Sequence, residues 1–223
     1  MKTLVIIPAY NEQEAILNTI SDIKKHGKGF DYVVINDGSS DETEAILIKN
    51  KINHITLPVN SGLNVAVETG YVYAYENGYE CAIQFDGDGQ HQAEYLKPLV
   101  EEIKNGANIA IGSRFVTRKK DWSMRMIGSR IISFLIKVKT GVTINDPTSG
   151  MRALDRNNIY DYAYDMNSRP EPDSLTRQIK KGYKVKEVQV TIKNRESGTS
   201  IYSSAWSSFV YMVKMIISIL FIV

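Results

Sequence analysis

Short apolar runs alternate with segments of helical periodicity through the first half of the chain, and this rhythm restricts the fold more than any other feature. The predicted strands are 3–8, 32–36, 54–58, 81–85 and 108–111. The predicted helices between them are 12–25, 41–49, 63–75 and 94–104. This alternation predicts an α/β fold with a mostly parallel sheet and helices on both faces. Ligands of such sheets bind beyond the carboxyl ends of the strands.

Composition sets broad limits on the class of protein. A chain of 223 residues is long enough for one well-filled α/β domain with a small appendage. Its 27 basic and 25 acidic residues nearly balance, so the sequence predicts no nucleic-acid partner. The single cysteine, Cys81, falls in a predicted core strand and suits packing in a reducing, cytoplasmic setting. The apolar run at the amino end is too short for a signal peptide.

Polar clusters follow three of the predicted strands. They are Tyr10-Asn11-Glu12, Asp37-Gly38-Ser39-Ser40 and Asp86-Gly87-Asp88. Because parallel strands end at the same edge of a sheet, we expect the three clusters to converge there. The edge is therefore the predicted functional site.

The third cluster has the composition of a metal site. Carboxylates from Asp86 and Asp88 and the amide oxygen of Gln90 are hard ligands that suit Mg²⁺ or Mn²⁺. These ligands are too few to close the coordination shell, so substrate phosphates and water would complete it. Taken alone, the Asp-Gly pairs are more typical of an ordinary turn. The convergence with the other clusters favours the metal.

Six segments, in this order, carry a resemblance to a known family. They are Pro8–Glu12, Val34–Thr43, Asp86–His91, Gly112–Arg114, Asp146–Arg152 and Arg195–Ser200. Together they resemble family 2 glycosyltransferases with a GT-A fold. The last three are similar to the polyprenyl-phosphate branch, which is dolichyl-phosphate mannosyltransferase-like. The resemblance ends near Ser200, so we divide the chain into a glycosyltransferase domain, 1–200, and a C-terminal segment, 201–223.

The resemblance implies roles for individual residues. Those implied to contact the nucleotide sugar are Pro8, Tyr10, Glu12, Asp37 and Asp86. Glu12 would accept hydrogen bonds from ribose hydroxyls, and Asp37 from the base or ribose. Asp86, Asp88 and Gln90 would hold the ion that bridges the donor diphosphate. Helix capping is the alternative role for Glu12 and Asp37.

The chain departs from the family pattern in two places near the expected phosphates. Leu63 and Asn64 stand where lysine and glycine are common in the family, and Ile201 stands where a lysine commonly follows Ser200. Both departures remove positive charge. The donor and the acceptor pocket are therefore less tightly specified than the fold.

A phosphate acceptor needs positive charge more than it needs a general base, because a phosphate monoester is already largely ionised at neutral pH. One arginine side chain can bind two oxygens of the same phosphate at once. The arginines that follow the metal motif are Arg114, Arg125, Arg130, Arg152 and Arg195. The expected catalytic residues are Asp88, Arg114, Arg130, Asp146 and Arg195. Asp146 would orient an arginine or the sugar, Arg152 is left open, and Arg125 can be a solvated surface charge.

Two apolar segments bear on membrane contact. The segment Met124–Lys139 is an apolar helix with basic residues at both ends, which suits an interface with anionic lipid as well as it suits a core helix. In the tail, one stripe of the predicted helix carries Ser204, Ser207, Ser208, Tyr211, Lys214 and Ser218. The opposite face carries Trp206, Phe209, Val210, Val213, Ile216, Ile217 and Leu220.

This tail predicts a membrane-associated C-terminal helix that lies in or enters the interface. A full span and a soluble core helix are the alternatives. The serine stripe would suit pairing with a small membrane protein. The protein is accordingly expected at the cytoplasmic face of the cell membrane, either peripheral or anchored by its C-terminal helix.

The predicted function is metal-assisted, inverting transfer of a sugar from a nucleotide sugar to undecaprenyl phosphate or another polyprenyl phosphate, for cell-surface glycan or cell wall polysaccharide. UDP-linked glucose or N-acetylglucosamine is the expected donor, and GDP-mannose stays open. One alternative is a family 2 transferase that extends a polysaccharide, with Glu171 or Asp173 as base. The other is a non-catalytic protein that binds nucleotide sugars. A sugar-1-phosphate nucleotidyltransferase would need a glycine-rich, arginine-containing loop after the first strand, which is absent.

Overall fold

A computed structural model describes residues 1–165, 171–193 and 205–221. Its strands are β1 (Thr3–Ala9), β2 (Asp31–Asn36), β3 (His54–Thr56), β4 (Cys81–Gln84), β5 (Ile109–Ser113), β6 (Arg152–Asp155) and β7 (Val185–Gln189). Its α-helices are α1 (Ile16–His26), α2 (Thr43–Lys49), α3 (Leu63–Glu76), α4 (Leu96–Lys104), α5 (Met124–Thr140), α6 (Arg156–Tyr164), α7 (Pro172–Lys180) and α8 (Ala205–Phe221). A 3-10 turn, Ala93–Tyr95, precedes α4.

The strands form one mixed sheet in the order β3-β2-β1-β4-β6-β5-β7. Four neighbouring pairs are parallel, and β6 alone runs antiparallel to its neighbours β4 and β5. The predicted α/β class and mostly parallel sheet are confirmed. Because β6 runs the other way, it begins at the edge where the parallel strands end. The loop before β6 therefore reaches the same edge as the loops after the other strands.

Helices cover both faces of the sheet, as β1 illustrates. All seven residues of β1 are buried. Val5 and Ile7 pack in a core with residues of α1 and α4, whereas Leu4 and Ile6 pack in a core with residues of α3, α5, α6, α7 and α8. Alternate side chains of a strand point to opposite faces, so a fully apolar strand requires cover on both sides.

Two helices begin later than predicted. Asn11 adopts a positive φ of 54°, and the backbone NH groups of Ala15 and Ile16 donate to the carbonyl of Glu12, so α1 starts at Ile16 rather than at residue 12. The first regular residue of α2 is Thr43, whose NH donates to Oδ1 of Asp41 at 2.9 Å. Side-chain bonds to the backbone compete with helical bonds at such positions.

The C-terminal helix α8 packs closely on α5. A Cβ atom at Gly128 would overlap the side chain of Met212, so the missing side chain at this position of α5 lets Met212 pack against the helix. Nζ of Lys139 also donates to the carbonyl of Leu220 at 3.0 Å. The predicted helix in the tail is thus present. In the described residues, no helix is both long enough and apolar enough to span a bilayer.

The burial of α8 corrects its predicted division into a polar and an apolar face. Met215, Ser218 and Ile219 are buried, whereas the apolar residues Val210, Val213, Ile217 and Leu220 are exposed. Oγ of Ser218 donates to Oδ2 of Asp173 in α7 at 2.7 Å. This serine therefore faces its own domain, because Asp173 accepts the hydrogen bond of its hydroxyl. The side chains of residues 204–209 and the boundary at 200/201 lie outside what the structure describes.

Candidate functional site

The loops that follow β1 and β2 are bonded to each other through polar side chains. Oγ of Ser39 accepts from the NH of Asn11 at 3.0 Å and donates to Oδ1 of Asn36 at 2.5 Å. Oδ1 of Asn11 accepts from the NH of Ser40 at 2.9 Å. The first two predicted clusters thus converge, because β1 and β2 are parallel neighbours.

Asp37 holds the third loop of this region. It is buried, its Oδ1 accepts from the NH of Ser61 at 2.8 Å, and its Oδ2 accepts from the NH of Gly62 at 2.9 Å. Gly38 has a positive φ of 62°, and a Cβ there would lie 2.6 Å from the carbonyl carbon of Val59. Asp37 therefore binds the backbone just before α3, which resembles the helix-capping role that was its alternative. Each carboxylate oxygen has a second lone pair that can accept from a nucleoside.

The other residues of the predicted nucleoside pocket lie on the same edge. Pro8 is buried in β1, and its carbonyl accepts from the NH of Gly87 at 3.3 Å. Tyr10 is 42% exposed, whereas Glu12 is buried and its backbone NH donates to Oγ1 of Thr43 at 2.9 Å. The edge thus presents one exposed ring and one buried carboxyl group. Contact of these residues with a nucleoside stays a prediction.

The carboxylate of Asp86 is oriented by its neighbours at the end of β4. Its Oδ1 accepts from Nε2 of Gln84 at 3.3 Å, and its backbone NH donates to Nδ1 of His91 at 3.0 Å. Because Nδ1 accepts this bond, Nε2 of the neutral imidazole carries the hydrogen, and it lies 3.6 Å from Oδ2 of Asp86. A Cβ at Gly150 would lie 3.2 Å from the same Oδ2, so the loop before β6 approaches the carboxylate closely.

Asp88 and Gln90 continue this loop toward the end of β7. Oδ1 of Asp88 accepts from the NH of Gln90 at 3.0 Å. The side-chain amide of Gln90 donates through Nε2 to the carbonyl of Lys193 at 3.3 Å, and the NH of Lys193 donates back to the carbonyl of Gln90 at 3.0 Å. Gln90 thus joins two loops, and its role as a metal ligand stays a prediction.

The donor atoms present fit a magnesium or manganese ion that is shared with substrate. The described residues contain no group of three His, Cys, Asp or Glu side chains that could hold a metal by themselves. Mg²⁺ usually keeps several waters and is bound by one or two carboxylates together with substrate phosphates. Asp86 and Asp88 would supply the two carboxylates, and the carboxylate of Asp86 is partly exposed. Nδ1 of His91 is engaged and offers no lone pair.

A buried ion pair forms a second centre on the same edge. Nε and Nη2 of Arg114, which follows β5, donate to Oδ2 and Oδ1 of Asp146 at 2.7 and 2.8 Å, and the NH of Arg114 donates to Oδ2 at 3.1 Å. The carboxylate of Asp146 is completely buried. Burial by itself raises the pKa of this carboxyl group, but the hydrogen bonds and charge of Arg114 outweigh it and lower the pKa below its ordinary value.

Glu187 of β7 holds the backbone that presents Asp146. Its Oε1 accepts from the NH of Asp146 at 2.8 Å, and its Oε2 accepts from the NH and from Nδ2 of Asn145, both at 2.8 Å. Asp146 therefore orients Arg114, as expected, and is itself oriented by a second carboxylate. No local pattern in the sequence points to Glu187, because its partners lie about forty residues earlier in the chain.

Lys120 is a second residue that the sequence interpretation did not select. Its Nζ donates to Oγ of Ser129 at 2.8 Å and to Oγ of Ser133 at 3.2 Å, both on α5. Burial lowers the pKa of Lys120 to about 8; the nearby arginines reinforce this shift, and the carboxylates of Asp146 and Glu187 oppose it. We call Arg114, Lys120 and Arg130 the cationic cluster.

Arg130 stiffens the segment that carries Lys120. Its Nη2 and Nη1 donate to the carbonyls of Lys120 and Asp121, each at 2.6 Å. The guanidinium carbon lies 4.4 Å from the ring centroid of Trp122, which is 81% exposed. The predicted catalytic role of Arg130 stays a prediction.

Arg152 lies beneath the sheet edge rather than on it. It is 1% exposed, and its Nε and Nη2 donate to the carbonyls of Ser149 and Pro147 at 3.0 and 2.7 Å. It thus holds the loop before β6 from the inside, which resolves the role that the sequence left open. Arg195 and the side chain of Arg125 lie outside what the structure describes.

The two carboxylates considered as general bases both have partners. Oε1 of Glu171 accepts from Nδ2 of Asn64 at 3.2 Å. Asp173 accepts from the hydroxyl of Ser218 and, through Oδ1, from the NH of Ser174 at 2.8 Å. These bonds tie the start of α7 to α3 and α8.

Known proteins are similar to this chain in sequence or in fold. The chain is 31% identical over 218 residues to polyprenol monophosphomannose synthase of Mycolicibacterium smegmatis, covering 92% of this chain and 82% of the relative. It is 30% identical over 217 residues to undecaprenyl-phosphate mannosyltransferase of Micrococcus luteus, covering 90% and 87%. It is also 30% identical over 199 residues to a dolichyl-phosphate hexose transferase of Haloferax volcanii, covering 88% and 85%.

The fold has a solved counterpart in glucosyl-3-phosphoglycerate synthase of Mycobacterium tuberculosis, in a complex with Mn²⁺ and UDP-glucose. The TM-score is 0.72 at 17% identity, covering 98% of this chain and 78% of that one. At this identity the likeness concerns the fold, and it agrees with the expected GT-A architecture. Residues 4–162 match the family described as Glycosyl transferase family 2. This match spans more than half of the chain, and the protein is a glycosyltransferase that belongs to glycosyl transferase family 2.

Proposed function

We propose that this glycosyltransferase moves a hexose from a nucleoside diphosphate hexose to undecaprenyl phosphate or another polyprenyl phosphate. The observation that carries the proposal is the position of the cationic cluster. It lies on the same sheet edge as Asp86 and Asp88, and the loop before β6 links the two regions. A carboxylate pair suits a metal-bound diphosphate, and clustered cations suit a second phosphate.

In the proposed reaction, the side chains of the site bind the donor diphosphate and the acceptor phosphate and orient them. Asp86 and Asp88 would hold Mg²⁺ or Mn²⁺, which when bound neutralises the leaving diphosphate. Arg114, kept in place by Asp146, would bind the acceptor phosphate through donors that the ion pair does not use. The acceptor oxygen then attacks the anomeric carbon from the face opposite the leaving group, which inverts the configuration.

The engaged carboxylates favour a phosphate acceptor over a sugar hydroxyl. A hydroxyl acceptor needs a general base within hydrogen-bond reach, whereas a phosphate monoester is already ionised. Glu171 and Asp173 bond to Asn64 and Ser218, and Asp146 bonds to Arg114. A polysaccharide-extending transferase therefore has less support. A non-catalytic protein that binds nucleotide sugars also has less support, because the intact carboxylates of Asp86 and Asp88 fit catalysis.

Mannose is the first sugar that we propose to test. Polyprenol monophosphomannose synthase and undecaprenyl-phosphate mannosyltransferase, two of the relatives, carry mannose in their names. Another relative uses UDP-N-acetylglucosamine according to its name, and the structural counterpart was solved with UDP-glucose. The expected UDP-linked glucose and N-acetylglucosamine donors accordingly stay in the panel beside GDP-mannose.

The acceptor places the proposed reaction at the cytoplasmic face of a membrane, and exposed apolar residues on α5 and α8 are suited to that surface. Around the start of α5 and along it, Trp122 is 81% exposed, Phe134 64% and Val138 65%; on the adjoining α8, Phe221 is 81% exposed. Basic residues border these positions at Arg118, Lys119, Lys137 and Lys214. Apolar side chains flanked by lysine and arginine bind anionic bilayers peripherally.

A small membrane-protein subunit is not part of this proposal. The serine stripe was its only support, and Ser218 bonds to Asp173 within the same chain. The role of α8 that we propose is peripheral contact with lipid. This role needs no second protein.

The decisive experiment incubates the full chain with undecaprenyl phosphate in detergent, Mg²⁺ or Mn²⁺ and radiolabelled GDP-mannose, UDP-glucose or UDP-N-acetylglucosamine. We expect label to enter the organic phase from one donor, and Asp88→Asn to abolish the transfer. Exposed Glu14→Gln on the adjoining turn is the matched control and should retain it. Donor binding without transfer to the lipid phosphate would contradict the proposal.

The membrane surface is tested separately with sedimenting vesicles of phosphatidylcholine, with and without phosphatidylglycerol. We expect Trp122→Ser and Phe134→Ser to weaken binding to the anionic vesicles. Ile48→Ser is the control, since Ile48 is also exposed (60%) but lies on α2, whose neighbours pack on the other face of the sheet. Equal binding of all three variants would contradict the assignment of this surface.

A further inference from the structure

Lys120 occupies an unusual place for a lysine, because Lys119 and Asp121 on either side of it are exposed while its own ammonium group is directed toward α5. It lies between β5 and α5, and Nζ donates to the hydroxyls of Ser129 and Ser133. Ser129 is 1% exposed. An ammonium group has three hydrogens, and two of them are engaged by these neutral hydroxyls. In the part of the chain that the structure describes, the third hydrogen has no hydroxyl partner, and Nζ lies 5.5 Å from the ring centroid of Phe115. A phosphate oxygen is a stronger acceptor than this ring.

The surroundings of Lys120 favour a bound anion. The charged groups that face it are Arg114, Arg130, Asp146 and Glu187. The two carboxylates are already engaged: Asp146 by Arg114, and Glu187 by backbone NH groups. Two arginines beside a partly buried ammonium group repel it, and a phosphate group between them would relieve that repulsion.

We propose that Lys120 is a binding residue for the acceptor phosphate, and that this phosphate keeps the lysine protonated when it binds. The inference rests on the proposed function and names one residue of its acceptor site. Acceptor affinity would accordingly be linked to protonation of a single side chain. Lys120 would contact the phosphate, while Ser129 and Ser133 position its ammonium group.

The proton linkage has a definite direction. Burial lowers the pKa of Lys120 to about 8, so the unliganded ammonium group loses its proton as the pH rises past that value. A bound phosphate dianion raises the pKa again, because an opposite charge favours the protonated form. Between the pKa of Lys120 in the free protein and its pKa in the complex, the dissociation constant of the acceptor increases about tenfold per pH unit. Arginines keep their charge throughout this range, and the phosphate is already a dianion above pH of about 7.

The test measures binding of undecaprenyl phosphate in neutral detergent micelles to the full chain between pH 7 and 9.5. For the unaltered protein we expect the dissociation constant to rise steeply above pH 8. Lys120→Arg keeps the charge without titrating in this range, so it should bind comparably at pH 7 and lose most of the pH dependence. Exposed Lys97→Met on α4 is the control, and it should keep the pH profile of the unaltered protein.

A calorimetric measurement on the unaltered protein gives the same answer without any substitution. At pH 8.5 in buffers of different ionisation enthalpy, acceptor binding should take up more than about half a proton. Absence of proton uptake, or an unchanged pH slope in a folded Lys120→Arg, would overturn the role of Lys120 while leaving the transferase function intact. Nucleotide-sugar binding without acceptor binding at any pH would overturn both.

Discussion

The two halves of the sheet edge hold their polar groups in different ways. We call them the donor half and the acceptor half after the ligands proposed for them. In the donor half, formed by the loops after β1, β2 and β4, polar side chains such as Asn11 and Asp37 bond to the backbone of neighbouring loops. In the acceptor half, formed around β5, β6 and β7, a fully buried carboxylate pairs with Arg114, and a partly buried lysine lies nearby.

At Asp86 and Asp88, this difference separates the effect of a substitution on stability from its effect on activity. At the ion pair of Asp146 and Arg114, it couples the two effects. Asp86 and Asp88 are partly exposed at the edge, so we expect the stability of the fold to depend little on their charge. The pair Asp146–Arg114 is held in the interior, where loss of one partner leaves the other charge uncompensated. Substitution of Asp86 or Asp88 should therefore change activity alone, and substitution of Asp146 or Arg114 should change both activity and stability.

Asp88→Asn is expected to have the largest effect on activity. Removal of a carboxylate from the proposed metal site should lower turnover about a thousandfold, which is the scale of losing one strong electrostatic contact to the reacting groups. Asparagine keeps an oxygen for the NH of Gln90, so the free energy of unfolding should change by less than about 0.5 kcal/mol. Sugar transfer and urea denaturation measure the two quantities. A matching loss of stability would break the contrast between the halves.

Asp146→Asn should reduce stability by about 3–5 kcal/mol, because it leaves Arg114 without its buried counter-charge. Sugar transfer should fall as well, since Arg114 loses its orientation. Urea denaturation at pH 7 gives the first quantity. A stable but inactive variant would show that the acceptor half behaves like the donor half.

The same pair predicts how stability depends on pH. The folded-state pKa of Asp146 is lowered, so its contribution is fully present above the unfolded value of about 3.9 and is lost as the pH falls through the lower folded value. Urea denaturation between pH 2 and 6 should show this loss in the unaltered protein and a weaker loss in Asp146→Asn. Parallel curves for the two proteins would contradict the assignment.

Asp37→Ala should have an intermediate effect on stability in the donor half. It removes the acceptor of two backbone NH groups before α3, which costs about 1–3 kcal/mol. Asp37→Asn, which keeps one acceptor oxygen, should lose less. Calorimetry then measures the affinity of Asp37→Asn for the nucleotide. The affinity should fall if Asp37 also contacts the nucleoside, and it should stay unchanged if the role of Asp37 is purely structural.

Ser218→Ala should have the smallest effect, a loss of about 1 kcal/mol, because it removes one hydrogen bond between α8 and Asp173. Ile217→Ala is the matched change on the exposed side of the same helix. It should leave thermal stability unchanged and weaken vesicle binding instead. The reverse pattern would exchange the inner and outer faces that we assign to α8.

The donor half could be predicted from the sequence because its features are local. The apolar runs of β1, β2 and β4 end next to their polar clusters, and parallel pairing of neighbouring strands brings the clusters together. The positions of Asp86 and Asp88 at this edge followed directly. The late starts of α1 and α2 did not, because side-chain bonds by residues such as Asp41 compete with the helical pattern.

Most of the acceptor half could not be predicted, because its contacts join distant parts of the chain. Glu187 bonds to residues about forty positions earlier, and Arg114 pairs with a carboxylate 32 positions later. The strand β6 has only four residues and begins with Arg152, a buried arginine that interrupts a short apolar run. No local periodicity distinguishes such a residue from a solvated surface charge.

The sequence by itself determined the α/β class, the sheet edge at which the polar clusters meet, and the family, since these depend on apolar periodicity and on motifs whose residues are close together. Only the tertiary structure decided which charges are buried, which neighbours lower the pKa of Lys120, and which face of α8 meets the domain. The reason is physical. The energy of a buried charge depends on the groups that surround it, and these groups come from elements far apart in the chain.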